Sequence, residues 1–267
     1  MPNFREKVTA FGRSDEERTL LRRMCDLAER ADRSGVFAAS RFLTPAEQAA
    51  AASAGPHFPA LLTFDGGFDG AERAVAVFTP YGAEPPARDD PRHPLAALRL
   101  THSQPLGHRD LLGAVMSLGL ERPQIGDILP AREEKGPCES ALVCLRPNLD
   151  FLLASLSRAG RLPVEAHELP LTELRPPERR TERRTVTVAS PRLDAVLAAV
   201  WHLSREEAQS AVRRGLVSLN HRPEEKPDRE LHEGDLLSLR GGGRAAVAEF
   251  AGESRRGRLR VVLDVAV

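Results

Sequence analysis

Between Val186 and Arg240 two short amphipathic helices run directly into two short strands, and this arrangement leaves few ways to fold. Ser190 and Pro191 read as the N-cap and first turn of the first helix, with Arg192 inside that turn. Leu193, Val196, Leu197 and Val200 then mark one buried face at the i, i+3, i+4, i+7 spacing. Ser204 with Glu207 makes a capping box for the second helix, whose inner face is Ala208, Ala211, Val212 and Gly215. Arg205, Gln209 and Arg213 form a stripe beside that face. Gly215 ends the helix, Leu216 to Asn220 alternates as a strand, and the turn Glu233-Gly234-Asp235 leads into a second strand, Leu236 to Arg240.

Arginine placement gives this stretch its chemistry. Arg192 and Arg205 each fall in the first turn of a helix, where free N–H groups and the helix dipole favour an anion. They are the leading candidates for phosphate contact. Arg213, Arg214, Asn220, Arg222, Lys226, Arg240 and Arg244 extend the same patch. Asp194, set between such arginines, fits a residue that orients Arg192 or a helix end.

The motifs Arg192 to Asp194 (RLD), Ser204-Arg205, Arg213 to Asn220 (RRGLVSLN) and Glu233 to Asp235 (EGD) resemble the S4 RNA-binding domain. Upstream, GGFDGAERAVAVF (Gly66 to Phe78) and GHRDLLGAVMSLGLERPQIGDI (Gly107 to Ile128) are similar to the YlmH family. TPAEQ (Thr44 to Gln48) and RGGGR (Arg240 to Arg244) complete a resemblance that covers nearly the whole chain, with its motifs in order. It implies a non-catalytic RNA-binding protein that contacts ribosomal RNA on the large subunit, beside a peptidyl-tRNA, in rescue and quality control of stalled ribosomes. It also implies a link to cell division. No cofactor and no metal are expected.

Charge supports this placement. The chain of 267 residues has a formal net charge of zero, so bulk charge does not announce a nucleic-acid partner. From Arg175 onward there are 18 Lys and Arg against 14 Asp and Glu, a net of +4 balanced by −4 before it. Only 4% of residues are aromatic, which argues against holding RNA by rows of stacked rings. Three cysteines, Cys25, Cys138 and Cys144, have neither metal-ligand spacing nor an even count for disulfides, which suits a reducing compartment. The start lacks the apolar core of a signal peptide, and no uncharged run approaches a membrane span of about 20 residues. A cytoplasmic protein without a membrane partner is the expectation.

Before the S4-like stretch the expected fold is α+β. Capping boxes at Ser14/Glu17 and Thr44/Glu47 open two helices, and Leu61 to Phe64 with Ala74 to Phe78 read as a strand pair. Together they define an N-terminal helical region over residues 1–80. Leu95 to Thr101, Arg109 to Leu118, Gln124 to Leu129, Ala141 to Leu145, Asn148 to Arg158 (a helix capped by Asn148) and Val164 to Leu169 follow as β-α-β-β-α-β. That order is ferredoxin-like or RRM-like, and assigns residues 81–174 to a middle domain. RPPERRTERR (Arg175 to Arg184) reads as a basic linker over 175–185, leaving 186–267 as the S4-like domain with its C-terminal strands and a basic loop at Arg255, Arg256 and Arg258.

His108-Arg109-Asp110 spells the start of a kinase catalytic loop, but the required Asn is absent, since Leu111 to Val115 follow. Under the resemblance, His108 and Arg109 open a helix of the RNA-binding middle domain, with Arg122 beyond its end. The competing readings are an RNA-modifying enzyme of pseudouridine-synthase type, for which Asp110 and Asp127 are the candidate acids, and a septal protein-interaction module working through the N-terminal helices. An S4-bearing pseudouridine synthase usually carries that module N-terminally, whereas here it is C-terminal.

Overall fold

The computed structural model describes residues 3–130, 138–175, 181–254 and 257–266. The chain divides into two compact units, Met1–Pro177 and Glu178–Val267.

The first unit is built in four layers. Helices α1 (Phe4–Thr9), α2 (Asp15–Ser34) and α3 (Pro45–Ser53) cover one face of a small sheet, made of β1 (Ala38–Leu43), β2 (Leu61–Asp65) and β3 (Ala74–Thr79) in the order β1-β3-β2. The Thr44/Glu47 capping box forms reciprocally as expected, while at α2 Ser14 Oγ accepts the Glu17 N–H and the Glu17 carboxylate takes the Arg13 N–H. Strand β1 was not foreseen, because its outer residues Ser40 and Arg41 interrupt the apolar run.

Strands β4 (Leu95–His102), β5 (Ile125–Leu129), β6 (Cys138–Leu145) and β9 (Glu165–Leu169) form the second sheet, antiparallel throughout, in the order β5-β6-β4-β9. With α4 (His108–Ser117) and α5 (Leu149–Ser155) on one face, this is the ferredoxin-like arrangement. Alternation along β4 shows why both faces are buried. Ala96, Leu98 and Leu100 pack toward the helices, while Leu95 and Ala97 pack with Phe42, Val75 and Val77 of the small sheet. Residues from both sides of position 80 therefore share one apolar core, and the expected boundary there separates sheets rather than cores.

Two local expectations fail. Asn148 does not cap α5; its side chain makes no cap hydrogen bond, and the turn Arg146–Asn148 enters the helix instead. The helix also stops at Ser155, and Arg158 lies in a hairpin of β7 (Arg158–Ala159) and β8 (Leu162–Pro163). Gly160 and Arg161 form the turn between these two strands.

The second unit is a six-stranded antiparallel sheet, β10-β15-β14-β13-β11-β12, with α6 (Leu193–Val200) and α7 (Arg205–Arg213) packed on it. Its strands are β10 (Thr181–Val188), β11 (Val217–Leu219), β12 (Arg222–Pro223), β13 (Leu236–Leu239), β14 (Gly243–Glu253) and β15 (Leu259–Ala266). Leu193, Val196, Leu197, Val200, Ala208 and Val212 from the helices meet Val217, Leu237, Val247, Val261 and Leu263 from the strands. Thr181 to Arg184, expected as linker, belong to β10, which pairs with β15 over eight residues. Their charges hid the strand, yet an edge strand with one solvated face tolerates them. The remaining linker positions 176–180, and Arg255 and Arg256, lie outside the described residues. Gly242 is needed for close packing: a Cβ there would sit 2.6 Å from Leu239 Cδ2 and 3.0 Å from Trp201 Cδ1, and its carbonyl accepts the Trp201 indole N–H at 2.6 Å.

Candidate nucleic-acid interface

The centre of the second unit's polar surface is Asp194, whose side chain is fully buried. Arg192 donates from Nε and Nη2 to its two oxygens at 3.2 and 3.1 Å. Arg205 does the same at 3.3 and 3.1 Å, and Gln209 Nε2 adds a fifth hydrogen bond at 2.8 Å. Burial pushes the Asp194 carboxyl up, but the bonds from Gln209, Arg192 and Arg205 outweigh it and hold the group below the usual carboxylate range. The Arg192 and Arg205 side chains remain 39% and 49% exposed, so the cluster presents a net positive charge to solvent on a buried acidic anchor. Bidentate anchoring fixes both guanidinium planes while their Nη1 groups take no part in the fork.

A depressed carboxylate stabilises the fold only while it is charged. Asp194 should contribute fully above the ordinary carboxylate pKa near 4, and lose that contribution as pH falls through its lower folded value. Urea unfolding of wild type and Asp194→Asn, compared from neutral pH down to about pH 2, should therefore show a stability gap that closes only at the acid end. A gap unchanged with pH would mean the carboxylate charge is not what the arginines hold.

The start of α6 differs from the sequence expectation, whereas α7 opens on the expected Ser204/Glu207 capping box. Arg192, not Ser190, is the N-cap of α6, with extended backbone, and Pro191 lies before the helix. Its free N–H groups are taken: Leu193 N donates to Arg229 O at 2.8 Å and Asp194 N to Pro227 O at 2.9 Å. At α7 the capping box engages the Ser204 and Glu207 N–H groups, and Glu206 and Glu207 occupy the first turn. Neither helix end is an open anion site, so phosphate contact falls to the side chains.

Arg213 and Arg214 are exposed at the end of α7. Arg240 and Arg244 are exposed too, beside Ser218 and Ser238, around a shallow depression of about 450 Å3 on the outer face of the sheet. Ser218, Ser238 and Arg244 occupy matched positions on β11, β13 and β14. Lys226 is exposed in the loop after β12, whereas Arg222 is half-buried in that strand. Asn220 has a structural task instead: Nδ2 donates to Asp235 Oδ1 at 2.7 Å and Oδ1 accepts the Leu236 N–H at 2.9 Å. Asp235 also accepts the His232 N–H, and Glu233 accepts the Phe250 N–H, which accounts for the EGD motif as a turn clamp.

In the first unit, His108 and Arg109 are exposed at the start of α4. Arg122 is not available in the same way. Its Nη1 donates to the carbonyls of Ile125 and Gly126 at 2.6 and 2.9 Å, and burial lowers its pKa. Gln209 was seen on the helix stripe but not as a partner of Asp194; the i, i+4 spacing from Arg205 was the available signal.

A small helix pair on an antiparallel sheet, presenting arginines locked on a buried carboxylate, defines an S4-type RNA-binding protein. Residues 191–237 match the S4 domain, and residues 100–173 match a domain described as "Putative RNA-binding domain in YlmH". The chain is 34% identical over 228 residues to ribosome-associated protein quality control protein P2 of Bacillus subtilis (strain 168), covering 84% of this chain and 85% of that protein. The chain belongs to the YlmH family. A solved structure titled cell division protein ylmH, from Streptococcus pneumoniae, shares the fold with a TM-score of 0.51 at 20% identity, over 61% of this chain and 96% of that one. No helix among the described residues is long and apolar enough to cross a membrane.

Proposed function

We propose that the protein is a cytoplasmic, non-catalytic RNA-binding factor that engages ribosomal RNA of the large subunit, close to a peptidyl-tRNA, in the rescue and quality control of stalled ribosomes. The observation that carries this reading is the pair Arg192 and Arg205 fixed on Asp194, within a stretch that matches the S4 domain. Two rigid guanidinium groups suit a phosphate backbone, and their exposed, ring-poor surroundings suit recognition by shape and charge more than by base. The name of the Bacillus subtilis relative supports a ribosomal setting. The cell-division link rests on the family resemblance.

The two candidate acids of the enzymatic alternative both take part in structural hydrogen bonds, which favours the non-catalytic reading. Asp110 accepts the Gly107 N–H at the head of α4. Asp127 accepts the N–H groups of Glu72 at 2.6 Å and Arg73 at 3.2 Å, joining the two sheets of the first unit.

Sedimentation with isolated large subunits, small subunits and whole ribosomes across a salt series tests the reading. Pelleting with large subunits should weaken with salt, at a log–log slope of about −5 to −7 if six to eight phosphates are neutralised. Absence of pelleting with any particle at low salt would remove the ribosomal assignment.

A further inference from the structure

The middle sheet cannot serve as an RNA platform in the manner of an RRM. One face is filled by α4 and α5, and the other by Phe42, Phe68, Val75 and Val77 from the preceding segment. An RNA contact by this part of the chain must use its edges or loops. Charge decides which ones. Among the described residues of 100–173 the cationic side chains, histidines aside, are five arginines, at 109, 122, 146, 158 and 161. Arg122 is spent on the carbonyls of Ile125 and Gly126. Arg146 donates to the His93 carbonyl at 2.9 Å and stands 3.6 Å from Glu168.

Arg109, Arg158 and Arg161 remain, and all three are exposed. The fold gathers them at one end. Arg109 lies in the first turn of α4, and the β7–β8 hairpin packs on that helix. At the hairpin turn, a Cβ on Gly160 would stand 3.7 Å from Asp110 Oδ1, so the turn flanked by Arg158 and Arg161 adjoins the residue next to Arg109. Arg158 Nη2 donates to the Arg161 carbonyl at 3.2 Å, which stiffens the turn. His108 is exposed beside Arg109. Asp110 is the acidic group within the cluster, with Oδ2 occupied by the Gly107 N–H, and the three arginines outnumber it.

We infer that this end of the first unit, formed by His108, Arg109, Arg158 and Arg161, is a second RNA-backbone contact, separate from the arginines on Asp194. It rests on the RNA-binding reading above and names the surface by which the middle segment takes part. Its chemistry is that of phosphate recognition. Guanidinium groups on a helix start and a tight hairpin hold the RNA through its phosphates, and phosphate contacts position the backbone without reading base identity.

The test uses the full chain with two probes, purified large subunits and a short RNA duplex of fixed length. Arg158→Ala/Arg161→Ala is compared with wild type and with Arg22→Ala/Arg23→Ala, exposed positions on α2. The hairpin variant should flatten the salt slope by about two and weaken binding about tenfold near 0.1 M salt, with the α2 variant unchanged. Circular dichroism melts exclude unfolding, and Arg158→Lys/Arg161→Lys should restore most of the slope, because the charges return. A wild-type slope in the alanine variant would overturn the second contact while leaving the ribosomal reading intact. Failure of wild type to pellet with large subunits, while it binds the duplex with a slope that the hairpin variant reduces, would overturn the ribosomal reading and keep the contact.

Discussion

Alanine at both Arg192 and Arg205 is expected to destabilise the C-terminal unit by about 2 to 3 kcal/mol and to flatten the salt dependence of RNA binding by about two. The two effects have different origins. Removing both guanidinium groups leaves the carboxylate of Asp194 in a fully buried site with Gln209 as its remaining side-chain donor. Breaking a buried ion pair costs roughly 3 to 5 kcal/mol, and the half-exposed arginine heads reduce that figure here. For a unit of this size the loss should lower the melting temperature on the order of 10 °C. A third substitution separates folding from binding. Asp194→Asn in the double-alanine background removes the stranded charge and should recover most of the stability, as read by urea unfolding. RNA affinity should stay low, because the positive charges are still missing. If the triple variant bound RNA with the wild-type slope, the cluster would be a structural device and the RNA face would have to lie elsewhere.

This cluster also shows what could be read from sequence and what could not. The helix periods, the Ser204/Glu207 capping box and the arginines at 192 and 205 were all legible, since each depends on spacing within one element. The destination of the arginines was not. It depends on α6 and α7 packing so that Asp194, Arg205 and Gln209 converge, a tertiary fact with no local signature. The helix-end argument failed for a related reason: the loop carrying Pro227 and Arg229 returns to satisfy the N–H groups of α6. Backbone groups at a helix start are available to a ligand only if the rest of the chain leaves them so.

In the first unit, the β-α-β-β-α-β order was readable because apolar runs and helical periods alternate cleanly there. The shared core between the sheets was hidden. Ala96, Leu98 and Leu100 alternate with Leu95 and Ala97, so β4 reads as a continuous apolar run, and only the second layer explains why both faces are buried. Arg73 and Arg122 were equally opaque. Nothing in the motif GGFDGAERAVAVF marks Arg73 as structural, and it donates to the carbonyls of Ile125 and Phe42 at 3.2 Å each and so ties the two sheets together.

Gly66→Ala should cost about 3 kcal/mol, the largest effect expected from a single added methyl group in the described residues of the first unit. A Cβ at Gly66 would stand 2.3 Å from Ala71 Cβ and 2.5 Å from the Arg73 carbonyl oxygen. Neither neighbour can swing aside, because the second is backbone and the segment is pinned by Asp127 on the Glu72 and Arg73 N–H groups. Gly66 is also the residue between Asp65, which accepts from buried His93 at 3.0 Å, and Gly67, whose N–H donates to Asp65 at 2.8 Å. Displacing the loop would disturb that pair as well. Gly70, four residues on in the same GGFDG motif, offers the comparison: an added Cβ meets nothing within 4 Å, but its φ of +81° strains any L side chain. Gly70→Ala should therefore cost only about 1 kcal/mol. Denaturant unfolding gives both numbers, and faster amide exchange along β2 and β3 should accompany the Gly66 variant alone. Equal costs would mean that the loop yields and that backbone conformation, not packing, governs both glycines. Unequal costs in the stated order would assign the two glycines of one motif to two different physical constraints, close approach for the first and a left-handed turn for the second.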